Sequence, residues 1–402
     1  MYTEIALILS ETYSILGFPV LVSLPLICYQ CKIKVHKSDL HLLLLLFSIT
    51  LLSIIFATKF INFSIYPIKI LQFYVALITG IVTLKVTEKN SLAYQQRILF
   101  NTSTLITIGL FLESNDLLFV KQVSDYVRSV LYEGGLYALY VAGDRDLAIV
   151  GFNRPKFFTS EPSLAALGYF VFSTAFLVIN TNYWRIWLIL LFNILCFTFS
   201  GSPTLLLTFI VWGWLFSVKT KVNWLIVALV ALCLLGFLFA FVSPDVLTSK
   251  LSARILSETF SPNTSLYSRL YVAYAEALPT AITYNPFFGV GFAGKELLTS
   301  ISDLAYVSDD IQFILGTNSF SRFFTFFGLL GMAVFLFSFR RYFQHSQISN
   351  FFTIFLVWFL FSQMIGAMET SRYWMYLFLI IGLSKQPMVN EKIKVPSFKI
   401  SA

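Results

Sequence analysis

Leu40-His-Leu-Leu-Leu-Leu-Leu-Phe-Ser-Ile-Thr-Leu-Leu-Ser-Ile-Ile-Phe-Ala57 contains no formal charge across 18 residues and is flanked on its N-terminal side by Lys32, Lys34 and Lys37. A helix of that length rises about 27 Å at 1.5 Å per residue, close to the thickness of a hydrocarbon core. The apolar positions do not alternate with the period of two that a membrane barrel strand requires, so the segment reads as a transmembrane helix.

Working outward from this span, the same pattern recurs along the chain. With 402 residues, 57% of them hydrophobic and 12% charged, and a mean hydropathy of +0.79, the chain is too apolar to enclose a water-soluble core. It reads as an all-α polytopic membrane protein of about eleven transmembrane helices. Four helices fall within 1–112: Ile5 to Tyr29, Leu40 to Ala57, Tyr66 to Leu84 and Ile98 to Leu112. A first long loop occupies 113–163, and four more spans fill 164–242, from Leu164, Trp184, Pro203 and Trp224 onward. A large second loop covers 243–321, three spans occupy 322–384, and 385–402 is a tail.

This layout puts every lysine-rich short connection on one face. That face carries +12 of the net +8, leaving −4 for the opposite one. The basic excess is therefore a positive-inside signal for a cytoplasmic face and not a nucleic-acid surface. Both long loops are then external and the C-terminus cytoplasmic. The four cysteines avoid the loops, and Cys28 and Cys31 alone supply two of the four ligands a zinc site needs. No metal or cofactor is expected. His36, His41 and His345 all fall near the cytoplasmic face.

Loops of this length in a compact protein are usually functional or disordered. In the first, Arg154-Pro-Lys156-Phe-Phe-Thr-Ser160-Glu161-Pro162-Ser163 runs straight into the fifth span, where Glu161 and Ser163 are also placed to cap a helix. In the second, Leu270, Ala273, Tyr274, Ala277 and Leu278 recur at helical spacing and predict an amphipathic helix ending before Pro279. Arg269 and Glu276 are seven apart, two α-helical turns along one face. Asn285-Pro-Phe-Phe-Gly289-Val-Gly291 is turn chemistry, with glycines that permit positive φ or close backbone approach. Thr317-Asn318-Ser-Phe-Ser-Arg322 then opens the ninth span, which passes through Gly328-Leu-Leu-Gly331.

In these features, from Arg154 to Gly331, the chain resembles the O-antigen polymerases and ligases of bacterial surface-polysaccharide assembly. The resemblance implies a glycosyltransferase-C-like membrane enzyme of the bacterial plasma membrane. Its substrate would be an oligosaccharide repeat unit on undecaprenyl pyrophosphate, and its surroundings would be membrane lipid, with a polysaccharide chain-length regulator and a flippase as candidate partners. Two departures bear on the branch. Thr317 stands where ligase-like members commonly have histidine before the asparagine, and Pro203 where they tend to carry an arginine. Both favour repeat-unit polymerase over ligase.

The implied reaction joins an acceptor hydroxyl to an anomeric carbon as lipid pyrophosphate departs. Arginine suits that leaving group, because its fixed bidentate cation stabilises developing phosphate charge. Arg154 and Arg269 are the expected catalytic cations, with Lys156 and Arg322 as further phosphate contacts. Glu161, then Glu276, is the candidate general base. Gly289, Gly291 and Asn318 complete the expected substrate-binding set. Three other readings are open. Asp144-Arg145-Asp146 could hold a divalent cation; the chain could flip or transport the same lipid-linked sugar; or it could be a structural membrane subunit.

Overall fold

The computed structural model describes residues 37–56, 66–132, 154–159, 162–180, 182–202, 205, 208–209, 211–213, 268–292, 294, 297–298, 318–343, 358–363 and 371–385. The expected first and eighth spans, Cys28 and Cys31, Asp144 to Asp146, Glu161, Pro203, Thr317 and the lysine-rich tail lie outside the described residues.

Among the described residues the chain is helical, with no strand. The α-helices are α1 (Lys37–Phe56), α2 (Tyr66–Lys89), α3 (Leu92–Ser114), α4 (Val120–Tyr132), α5 (Pro162–Ile179) and α6 (Tyr183–Ser200), followed by α7 (Leu278–Tyr284), α8 (Ser319–Phe343) and α9 (Ser371–Ser384). A π-helical segment, Ser268–Ala277, leads directly into α7. Three stretches are long and apolar enough to cross a membrane: Asp39–Phe56 in α1, Lys69–Lys89 in α2 and Ser319–Ser338 in α8. Helices α5, α6 and α9 contain shorter apolar runs.

Several hydroxyl side chains inside these helices return their proton to the helix's own backbone. Thr50 and Ser53 donate to Leu46 and Thr50 carbonyls at 2.8 Å each. On α2, Thr79, Thr83 and Thr87 form a staircase, each donating to the carbonyl four residues earlier at 2.8–2.9 Å.

Helix α9 is the centre of the bundle. Every residue from Tyr373 to Leu383 is buried, as a helix apolar on all sides must be. It packs most extensively on α2, through two glycines. A Cβ on Gly80 would lie 2.8 Å from the Trp374 Cβ, and one on Gly382 would lie 2.8 Å from the Thr87 side chain. Such small residues let membrane helices approach closely. Helix α3 packs between α5 and α6, and α1 packs on α8.

Charged helix ends gather at one end of the bundle. Lys85 Nζ lies 3.5 Å from Asp39 Oδ2, and Lys385 Nζ lies 2.6 Å from Glu88 Oε1. These are ends of α1, α2 and α9 that the lysine pattern assigned to a common face. The far end of the bundle holds the starts of α5, α8 and α9 and the close of α3.

Three boundaries differ from the sequence reading. Helix α3 begins six residues earlier than Ile98, because Ser91 caps it by accepting the Tyr94 amide. The first long loop is not irregular throughout, since α4 occupies Val120–Tyr132 with a strongly amphipathic sequence. Helical structure also continues through Pro279, which falls in the first turn of α7, where a missing amide proton costs nothing.

Candidate active site

At the far end, two groups of residues are assembled from segments distant in sequence. The first surrounds the end of α3. The carboxylate of Glu113 is buried and accepts the backbone amides of Lys156, at 3.1 Å, and Phe157, at 2.5 Å. Ser124 of α4 donates to the same carboxylate at 3.4 Å and accepts the Phe158 amide at 3.0 Å. Phe157 and Phe158 both have positive φ, at 41° and 64°, which aims successive amides at one acceptor. The Phe157 ring fills the space beside Gly109, where any Cβ would collide with it. Segment 154–159 is thereby fastened to α3 and α4, with Lys156 buried and Arg154 half-buried.

The second group lies where the π-helical segment, α8 and residues 358–363 meet. Asn318 caps α8: its Oδ1 accepts the amides of Phe320 at 3.0 Å and Ser321 at 3.2 Å. Its Nδ2 donates to Gln363 Oε1 at 2.5 Å, and the Tyr274 hydroxyl donates to the same oxygen at 2.6 Å. Burial pushes the Tyr274 hydroxyl pKa up, against the opposing effect of its hydrogen bonds to Asn318 and Gln363. One turn into α8, the Arg322 guanidinium lies over the Phe326 ring, 5.2 Å from its centroid. This is a cation–π contact.

Glu276 follows Tyr274 by two residues. Its Oε2 is out of solvent and takes no hydrogen bond among the described residues, and burial raises its pKa above the ordinary 4.5. The backbone of Arg269 is part of the same π-helical segment; its side chain lies outside what the structure describes. Arg269 and Glu276, seven residues apart, share a face only on α-helical turns. The wider i→i+5 turn of a π-helix does not preserve a seven-residue register.

The Asn285–Gly291 turn is bound into α8, which is interrupted at Gly328 with φ 62° and ψ −166°. Leu329 and Leu330 amides donate to the carbonyls of Pro286 at 2.9 Å and Phe287 at 3.1 Å, and the Val290 amide donates to the Thr325 carbonyl at 2.8 Å. Groups freed by the break thus find partners in the turn, as buried backbone polar groups require. Asn285 Oδ1 shapes the turn by accepting the Phe287 and Phe288 amides, each at 3.2 Å. The two segments approach so closely that glycine is needed on both sides. A Cβ on Gly289 would lie 2.1 Å from the Thr325 oxygen, and one on Gly328 would lie 2.4 Å from the Phe287 carbonyl. Gly289 and Gly291 also have positive φ, 65° and 86°. After the turn, the Phe292 amide donates to Ser53 Oγ of α1 at 3.1 Å, and its ring stacks on Phe327 at 5.7 Å.

Of the residues expected from sequence, Lys156 and Arg154 fall in the first group, and Glu276, Asn318 and Arg322 in or beside the second. Gly289 and Gly291 shape the turn that repairs α8. Glu161 lies outside the described residues. The sequence marks Tyr274 only by its helical spacing and does not distinguish Gln363 or Glu113. Gln363 is an amide near the outer end of an expected span, and Glu113 stands where the fourth span gives way to its loop; neither position distinguishes itself from an ordinary interfacial residue. Among the described residues no three His, Cys, Asp or Glu side chains come together as a metal site.

No curated protein matches the chain. Residues 186–336 match the Wzy_C family model, described as O-antigen ligase. The match runs from the start of α6 through the π-helical segment, the glycine turn and the break in α8, and over this segment the chain is similar to the O-antigen polymerase/ligase superfamily.

Proposed function

We propose that the protein is a membrane glycosyltransferase that polymerises lipid-linked oligosaccharide repeat units at the outer face of the bacterial plasma membrane. The observation that carries this reading is the carboxylate of Glu276. It has a buried oxygen with no hydrogen bond among the described residues and a raised pKa, on a π-helical segment inside the stretch that matches the family. A carboxylate so placed suits a general base, because a raised pKa strengthens proton abstraction.

In the proposed reaction, Glu276 takes the proton of an acceptor sugar hydroxyl. The hydroxyl oxygen bonds to the anomeric carbon at the reducing end of the donor chain. The bond from that carbon to the pyrophosphate oxygen breaks, and its electron pair leaves with undecaprenyl pyrophosphate. Arg269 and Arg154 stabilise the departing charge, with Lys156 and Arg322 as further cations near the phosphates. Glu161 is the alternative base. Asn318 acts by fixing the start of α8, and Gly289 and Gly291 by fixing the turn against it. Chain-length regulator and flippase are the partners such a polymerase would meet at the membrane.

The family description itself favours a second reading, transfer of finished polymer to an acceptor. Deleting the gene in its host and resolving the surface polysaccharide on a gel separates the two. The polymerase reading expects a single repeat unit on its normal acceptor and no ladder. Polymer retained on the lipid carrier would establish the ligase, and an unchanged ladder would contradict both.

A further inference from the structure

We infer that Gln363 is a positioning residue for the reaction: its side-chain oxygen holds the π-helical segment that bears Glu276 against the capped start of α8 that bears Arg322. The inference rests on the glycosyl-transfer reading above, but it concerns a residue beyond the family match, which ends at 336.

The hydrogen-bond network fixes which way each amide points. Asn318 Oδ1 faces two backbone amides, Phe320 and Ser321, so that atom must be the oxygen. Its nitrogen then faces Gln363, whose contacting atom must in turn be an acceptor. The Tyr274 hydroxyl is the second donor to that oxygen. Gln363 Nε2 is turned the other way, donating to the Phe359 carbonyl of its own helix at 3.3 Å. One buried carbonyl oxygen thus uses both lone pairs to join three separate segments.

Those segments hold the proposed chemical groups. Tyr274 is two residues from Glu276 and five from Arg269 within one π-helical run. Asn318 is four residues, about one turn, before Arg322. Stretching or releasing the Gln363 link changes the distance between base and cation. Leucine at 363 would fill similar volume but leave a tyrosine hydroxyl and an asparagine amide without their acceptor. An ionised glutamate keeps an acceptor in the same place.

The test uses the purified full chain in lipid and a lipid-linked repeat unit, with kcat and KM for chain elongation. Gln363→Leu is expected to lower kcat about 10- to 100-fold, the usual scale for an ångström-sized misplacement, with KM changed less than about threefold. Gln363→Glu should recover most of the loss. Tyr274→Phe, which removes one oxygen and no volume, should lower kcat by itself, and combining it with Gln363→Leu should cost little more than the worse single variant. Wild-type kcat in Gln363→Leu or in Tyr274→Phe would overturn the inference, as would a Gln363→Glu variant as slow as Gln363→Leu, or losses that simply multiply. If Gln363→Leu does not fold, Tyr274→Phe and Gln363→Glu decide alone. Absence of elongation by the wild-type chain would instead count against the proposed function, before any variant is compared.

Discussion

Two segments of irregular backbone return to the far end of the bundle, and they are held in opposite ways. Segment 154–159 is held by side chains: Glu113 oxygens accept the amides of Lys156 and Phe157, and Ser124 Oγ accepts that of Phe158. The 285–291 turn is joined to the interrupted α8 through backbone, by three hydrogen bonds between the two segments. The first attachment depends on the chemistry of side chains; the second depends on the absence of two side chains, at Gly289 and Gly328. The turn is therefore bound into α8 by close backbone contact, while the Arg154 segment depends on the side chains of Glu113 and Ser124.

The largest effect is expected from Gly289→Ala. Its added carbon would have to sit 2.1 Å from the Thr325 oxygen at a φ of +65°, so both segments must part. A cost of at least about 3 kcal/mol follows from overpacking combined with a strained φ and the loss of hydrogen bonds to α8. The folded protein recovered from membranes should fall sharply; normal yield and thermal stability would show that the turn is not locked into the helix.

Glu113→Ala should come next. It removes the acceptor for two amides and the Ser124 hydroxyl, at about 1–3 kcal/mol for each buried group left unsatisfied, and Glu113→Gln should be milder because one acceptor oxygen remains. Hydrogen exchange at residues 154–159 should rise while exchange in 285–291 stays unchanged. Equal loosening of both segments would mean that they are not independently held.

The smallest effect is expected at the other end of the molecule. Lys385→Ala removes a partly exposed ion pair with Glu88, worth about 0.2–1 kcal/mol. Its thermal midpoint should barely move and should show little dependence on salt. A large loss would mean that the charged end contributes as much to stability as the glycine contact does.

The sequence located most of the helices because their apolar runs are long and their ends are marked by lysine. The second, third, fifth, sixth, ninth and eleventh expected spans match α1, α2, α5, α6, α8 and α9 within a few residues. The glycine turn was also legible as a turn. Its partner was not, since Gly328 lies inside an apolar run and only long-range backbone pairing reveals the break. Pro279 suggested a helix end because proline cannot donate, yet after a π-helical turn it opens a new helix. Helix α4 was hidden by its polar face within a stretch read as loop. Gln363 and Glu113 are single polar residues whose meaning comes from donors 89 and 44 residues away, and periodicity carries no information at that range.

The most direct test of the central claim is the pH dependence of repeat-unit elongation by the wild-type chain and by Glu276→Gln. A base works only when ionised, so activity should be full above the pKa of Glu276 and be lost as pH falls through it. Because burial raises that pKa, the acid limb of kcat/KM should lie above the ordinary glutamate value of 4.5. Glu276→Gln should lose about 10²- to 10⁴-fold in kcat while remaining folded in the membrane, and its residual activity should lack the limb. A Glu276→Gln variant with wild-type rate and an unchanged acid limb would remove Glu276 from the chemistry and contradict the account.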